Sequence, residues 1–217
     1  MKKYYVVRKG RKPGIYATWA QCQAQVKGFS GAQFKSFTNL SDAKAYLNAK
    51  PAPASPLADY DFVLYTDGGT RSTGNVLGGH VKKDDKAAWA YLLQQGEQQV
   101  SASAGILGAT NNQMELTAVR QGLQKLIDLK ATHQSVLLIS DSRYVLDAIT
   151  KNWLTGWQKR GWKKADGETV ANVELWQAIW QQLVQFTDLH FRWTKGHADN
   201  AGNVFVDRLL NKTMDDM

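Results

Sequence analysis

Three of the chain's four prolines fall within Lys50-Pro51-Ala52-Pro53-Ala54-Ser55-Pro56-Leu57-Ala58. Proline has no amide donor and a fixed φ, so a stretch this rich in it continues neither a helix nor a central strand. At roughly 3.3 Å per residue it is a semi-rigid linker of about 30 Å at most. The expected organisation is therefore a small domain over residues 1–49, a linker over 50–58 and a larger domain over 59–217. The 43% hydrophobic content suffices for a packed core in each.

Charge divides at the same place. Residues 1–56 hold ten Lys or Arg against Asp42 alone, a net +9, whereas the remainder holds 17 basic and 18 acidic residues, a net −1. The whole excess of the +8 chain lies in its first quarter, which points to a polyanionic partner for that segment. The single cysteine, Cys22, excludes an intrachain disulfide and a cysteine-cluster zinc site, and reads as a small packed side chain. No apolar run reaches the length of a membrane span and Met1–Arg8 lacks an apolar leader, so the expected location is cytoplasmic, with no membrane partner.

The front segment reads as strand, turn, strand, helix, strand, helix. Tyr4–Val7 is β-prone, Arg11–Gly14 is a turn, and Thr18 can cap a helix from Trp19 to Val26. Gln33–Phe37 alternates like a half-exposed strand, and Ser41 can cap a second helix. Trp19 and Phe34 are candidates either for a small core or for an exposed contact surface.

Beyond the linker, four acidic residues occupy settings used nowhere else. Asp67 and Asp141 end apolar, strand-like runs, while Glu115 and Asp207 lie on helix-like segments. Singly, each has an ordinary reading. Asp67-Gly68 suits a hairpin turn, Glu115 could be the capping partner of Asn112, Asp141 could cap a helix, and Asp207 could be a surface acid. Those readings do not explain the four together, in the order strand, helix, strand, late helix. A sheet with flanking helices could gather them, and clustered carboxylates are hard ligands of the kind that Mg²⁺ and Mn²⁺ take.

Tyr65-Thr66-Asp67-Gly68, Thr110-Asn111-Asn112-Gln113-Met114-Glu115-Leu116, Ser140-Asp141-Ser142-Arg143-Tyr144-Val145, Trp157–Lys163 and Lys195-Gly196-His197 with Asp207 resemble the motifs of type 1 ribonuclease H. The resemblance runs from about Asp61 to Lys212. It implies a mixed α/β fold, a five-stranded mixed sheet flanked by helices, preceded by a small α+β domain with a three-stranded sheet. It implies an endonuclease that hydrolyses the RNA strand of an RNA–DNA hybrid by two-metal-ion catalysis, leaving 3′-hydroxyl and 5′-phosphate ends. Asp67, Glu115, Asp141 and Asp207 become ligands of two Mg²⁺ ions, with Mn²⁺ able to substitute, and His197 a proton-transfer or release residue.

By the same resemblance Asn75, Asn111 and Asn112 contact the two strands near the scissile site, and Thr110 with Asn172 grips a DNA phosphate. Gly108 stands where that pocket commonly has arginine, Arg143 where several members have glutamine, and Val204 where glutamate is common. Trp153, Trp157 and Trp162, interleaved with Lys159, Arg160, Lys163 and Lys164, match a basic protrusion that stacks on sugars and neutralises phosphates. Tyr5–Arg11, Thr18-Trp19, Cys22–Val26 and Phe34-Lys35 resemble the hybrid-binding, viroplasmin-like domain at the front of many such enzymes. There Trp19, Phe34, Lys35 and Tyr5 would meet the hybrid, with double-stranded RNA as a second ligand class and no obligate protein partner.

Overall fold

The computed structural model describes residues 3–29, 32–48, 57–71, 81–195 and 200–217. The chain divides into two compact units, Met1–Pro56 and Leu57–Met217. Most of the proline-rich stretch lies outside the described residues.

The first unit is a three-stranded antiparallel sheet with two helices. Strands β1 (Tyr4–Lys9), β2 (Gly14–Tyr16) and β3 (Gln33–Phe37) take the order β2-β1-β3, with helices α1 (Trp19–Val26) and α2 (Leu40–Asn48). Thr18 caps α1 by accepting from the Gln21 amide at 3.3 Å. At the other end the Arg11 guanidinium donates to the Ala24 and Lys27 carbonyls at 3.0 and 2.8 Å, satisfying acceptors the helix leaves open. The core is small, centred on Val7, Cys22 and Val26. Burial pushes the Cys22 thiol pKa up, consistent with a packing role. Two expectations need correction. Asn39, not Ser41, holds the start of α2, its side-chain oxygen accepting from the Ser41 amide at 2.8 Å. Strand β3 is exposed along nearly its whole length, because its neighbours in this thin unit cover little of either face.

The second unit has the expected mixed sheet of five strands. Strands β4 (Phe62–Thr70), β5 (Lys86–Gln95) and β6 (Gln98–Leu107) form an antiparallel meander, and β7 (Val136–Ser140) and β8 (Leu189–Trp193) add parallel to β4, giving β6-β5-β4-β7-β8. Helix α3 (Asn111–Asp128) joins β6 to β7; α4 (Arg143–Thr150), α5 (Trp153–Lys159) and α6 (Val173–Leu183) lie between β7 and β8; α7 (Ala201–Asp215) comes last.

Strand periodicity divides the core. Along β4, Phe62 and Leu64 join Leu116, Leu123, Leu138, Trp176 and Ile179 in one cluster, whereas Val63 and Tyr65 join Leu137, Ile139, Val206, Leu210 and Met214 in the other. Both faces are thus covered, by α3, α4 and α6 on one side and α7 on the other. Among the described residues no helix is long and apolar enough to cross a membrane.

Two glycines allow helices unusually close to β4. A Cβ on Gly68 would lie 2.2 Å from the Glu115 amide nitrogen and the Met114 carbonyl carbon of α3, and one on Gly202 would lie 2.4 Å from the Tyr65 ring. Gly68→Ala is therefore expected to destabilise the second unit by about 3 kcal/mol, since backbone cannot yield as a side chain can. Gly122→Ala meets only the end of the Leu64 side chain and should cost less. Urea unfolding of the two variants checks this ranking.

Candidate active site

The close packing at Gly68 and Gly202 converges four acidic side chains. Asp67 lies inside β4, paired with Ala90 of β5, so Asp67-Gly68 is not a hairpin turn. Glu115 stands on α3, one turn in. The helix is capped by Thr110, whose hydroxyl accepts from the Gln113 amide at 3.2 Å while the Gln113 side chain accepts from the Thr110 amide at 2.8 Å. Gln113 takes the reciprocal capping position, which leaves Glu115 available for another task. Asp141 follows β7, and the cap of α4 is Ser142, accepting from the Val145 amide at 3.2 Å. Asp207 comes from α7.

All four line one cavity of about 340 Å³, together with Gly68, Arg71, Asn111, Asn203 and Asn211. Glu115 is held from both sides: Ser142 Oγ donates to its Oε2 at 2.6 Å and Asn111 Nδ2 to its Oε1 at 2.8 Å. The Gly68 amide donates to Asp67 Oδ1 at 2.8 Å, and Asn211 Nδ2 donates to Asp207 Oδ1 at 3.1 Å. Trp193 Nε1 donates to the main-chain oxygen of Asp141 at 2.9 Å, and the Arg143 guanidinium stacks 3.9 Å from the Trp193 ring centre.

Electrostatics mark the cavity as short of positive charge. Burial pushes the Asp67 carboxyl up to about 8, aided by Asp141, Asp207 and Glu115 and opposed by the Gly68 amide. Burial raises Glu115 as well, with Asp141 adding to the rise and the bonds from Ser142 and Asn111 lowering it. Asn203 is 1% exposed, and its Oδ1 has no hydrogen-bond partner among the described residues, so the lining offers a neutral oxygen besides the carboxylates. Hard oxygen donors whose neighbouring charges raise Asp67 and Glu115 suit a divalent cation, which would remove the repulsion. Among the described residues no three His, Cys, Asp or Glu side chains are grouped so as to hold a metal ion, so this is a shared acidic cavity and not a formed coordination shell.

The raised Asp67 pKa carries a stability consequence for protein kept in chelator. Between the ordinary carboxylate value of 3.8 and about 8, the folded state holds this proton more tightly than the unfolded chain, so stability falls as pH rises through that window. Asp67→Asn should remove that loss and stabilise the protein by on the order of 1–2 kcal/mol at pH 8.5. Thermal melts of both proteins at pH 5 and 8.5 in chelator would reveal it. A variant with the wild-type pH dependence would refute the assignment of the strain to Asp67.

Around the carboxylates, Asn111 lines the cavity, and Asn112 is exposed at the start of the same helix. Thr110 holds the helix cap, and Asn172, in a left-handed backbone conformation before α6, donates to the Tyr144 hydroxyl at 3.2 Å; neither lines the cavity. Trp153 is exposed, with the Lys151 ammonium 5.3 Å from its ring centre. Trp157 instead packs edge-on against buried Trp176 at 5.5 Å, so packing accounts for most of it. In the first unit Trp19 lies 5.6 Å from Phe34 and 5.9 Å from Tyr5, ring to ring, with Trp19 43% and Phe34 45% exposed. Trp19 and Phe34 form a surface patch and not the core, while Tyr5 is half-buried against Val7, Cys22 and Val26. The Lys35 ammonium lies 5.5 Å from the Phe37 ring. Asn75 and His197 lie outside the described residues.

Three residues of the site carry no obvious mark in the sequence. Ser142 is overshadowed by its neighbour Asp141. Asn203 and Asn211 flank Asp207 at helical spacings of four, a signal that places all three on one face of α7.

A family model described as RNase H matches residues 59–215, and one described as the ribonuclease H1 N-terminal domain matches residues 3–47. The ribonuclease H of Alcanivorax borkumensis is 38% identical over 155 residues, covering 71% of this chain and 92% of the relative. That of Maricaulis maris is 41% identical over 124 residues, covering 57% and 80%. Among solved structures, LC9-RNase H1, a type 1 ribonuclease H with the type 2 active-site motif, aligns with a TM-score of 0.60 at 25% identity, covering 71% of this chain and 72% of that one.

Proposed function

The chain belongs to the type 1 ribonuclease H family and carries that family's N-terminal domain, and from that membership we propose that it hydrolyses the RNA strand of RNA–DNA hybrids at the acidic cavity. The observation that carries the reading is the meeting of Asp67 from β4, Glu115 from α3, Asp141 from the bend after β7 and Asp207 from α7 around one cavity beside Asn111. These four carboxylates would hold two Mg²⁺ ions, or Mn²⁺ in their place. When bound, the ions supply activation of an attacking water and neutralise charge developing on the leaving 3′-oxygen.

The chain's own groups set the conditions for that chemistry. Ser142 and Asn111 fix both oxygens of Glu115, the Gly68 amide orients Asp67, and Trp193 anchors the backbone of Asp141. Asn111 and Asn112, at the start of α3, would read sugar hydroxyls in the shallow groove of a hybrid, where 2′-hydroxyls present themselves to amides. In the first unit, the exposed pair Trp19 and Phe34, with half-buried Tyr5 beside Trp19 and Lys35 nearby, suits stacking on sugars beside a phosphate, so that unit would bind the hybrid, or double-stranded RNA.

The test is digestion of a hybrid labelled on either strand, next to DNA duplex and single-stranded RNA of the same sequence. The expected result is cutting of the hybrid's RNA strand alone, with 3′-hydroxyl and 5′-phosphate ends. Tight binding of the hybrid without any cutting would replace this reading with that of a protecting or recruiting protein. Cutting of DNA duplex would indicate a nuclease acting on DNA.

A further inference from the structure

At the cavity rim, Asp207 shares one face of α7 with Asn211, one turn further on. Asn211 Nδ2 donates both to the Asp207 main-chain oxygen at 2.8 Å and to its carboxylate Oδ1 at 3.1 Å. Asn211 is in turn held by Arg71, whose Nη2 donates to the Asn211 carbonyl at 3.0 Å and reaches its Oδ1 at 3.5 Å. The other guanidinium arm pairs with Asp215, one further turn along. Arg71 follows β4 directly, and its amide donates to the Lys86 carbonyl of β5 at 2.8 Å, so the base of the side chain is tied to the sheet. Arg71 and Asn211 both line the acidic cavity.

A carboxylate alone on a helix can rotate about its side-chain torsions. Asn211 restricts that freedom by bonding Oδ1 of Asp207. Arg71, which directly follows the strand that carries Asp67, is joined through Asn211 and Asp215 to the helix that carries Asp207. The Arg71–Asp215 pair is exposed at both ends, 41% and 62%, and adds little to folding stability. Geometry, not stability, is what the arrangement supplies.

We propose that Asn211 is a positioning residue for Asp207 and that Arg71 acts through Asn211, so that together they set the divalent-cation affinity of the site. The proposal rests on the reading of the cavity as a metal-dependent nuclease site. Hydrogen-bond partners of metal ligands commonly change metal affinity by about 10–100-fold; for a partially exposed bond, a smaller change of roughly three- to tenfold is expected from Asn211→Ala.

The experiment measures Mg²⁺ binding to the full chain by calorimetry, with hybrid cleavage followed against Mg²⁺ concentration in parallel. Asn211→Ala should weaken Mg²⁺ binding by roughly three- to tenfold. It should lower kcat at limiting Mg²⁺, with the loss recovered at high Mg²⁺, and leave KM for the hybrid and the melting temperature in chelator near wild type. Asn211→Gln, which keeps the amide on a longer stem, should recover part of the affinity. Arg71→Ala should have a smaller effect, and the double variant should bind Mg²⁺ no more weakly than Asn211→Ala alone, because the two act in series. Wild-type Mg²⁺ affinity in Asn211→Ala would overturn the proposal and leave the nuclease reading intact. Additive losses in the double variant would overturn the serial arrangement. A wild-type chain that neither binds Mg²⁺ nor cuts hybrid would overturn the nuclease reading and this proposal with it.

Discussion

Asp67→Asn and Asp141→Asn are each expected to abolish cleavage of RNA–DNA hybrid, by on the order of 10³-fold or more, while hybrid affinity stays within a small factor of wild type. The expected size follows from the chemistry of the cavity. A divalent cation contributes several kcal/mol of charge stabilisation in the transition state, and each 1.36 kcal/mol is about a factor of ten in rate. Neutralising one of four carboxylates removes both a ligand and part of the negative field that attracts the cation. The exposed groups available for phosphate and sugar contact, such as Trp153 with Lys151 and the Trp19–Phe34 patch, keep their side chains in both variants. Single-turnover cleavage and equilibrium binding, measured on the same preparations, separate the two effects. Turnover near wild type in either variant would remove the carboxylates from the catalytic role.

Much of the arrangement behind this prediction can be read from the chain because strand and helix periodicities carry it. The apolar runs before Asp67 and Asp141 become β4 and β7, adjacent and parallel, with Tyr65 opposite Ile139 and Thr66 opposite Ser140, which brings the two aspartates together. Helix caps are harder to read. Asn112 and Asp141 are good capping types by residue preference, yet Thr110 and Ser142 take those positions, their hydroxyls accepting from the Gln113 and Val145 amides. Trp157 is ambiguous for a related reason. A tryptophan beside lysines fits a nucleic-acid surface and a core edge equally well, and only its tertiary packing on Trp176 distinguishes them. The brace from Arg71 to Asn211 joins positions 140 residues apart, and no local pattern points to it.

Deleting residues 1–56 is expected to leave a folded nuclease whose affinity for long hybrids is lower by roughly tenfold or more. Folding should survive because each unit has its own core: Val7, Cys22 and Val26 in the first, and the two clusters on either side of the five-stranded sheet in the second. Affinity should fall because a tethered second binding unit raises the effective concentration of the first near any bound hybrid. Long substrates should be affected most, since a short one does not accommodate both units. The removed segment carries +9, and for every phosphate it no longer neutralises, the dependence of log affinity on log salt should flatten by about one unit. Trp19→Ala tests the aromatic part separately. It should weaken binding by about 1–2 kcal/mol, as loss of a stacking side chain does, with an unchanged salt slope because no charge is removed. Equal affinity and equal slope for the full and shortened chains on a long hybrid would end the assignment of hybrid binding to the first unit.

One titration decides whether the cavity of Asp67, Glu115, Asp141 and Asp207 cuts RNA with the help of divalent cations. Purified full-length chain is mixed with a hybrid labelled on its RNA strand, first in chelator and then with Mg²⁺ added stepwise past the chelator's capacity. The expected result is an intact hybrid in chelator, cleavage of the RNA strand that appears with free Mg²⁺, and its arrest when chelator is restored. Cleavage undiminished in chelator, or an RNA strand left whole at every concentration of Mg²⁺ and of Mn²⁺, would rule out cation-dependent cutting at this cavity.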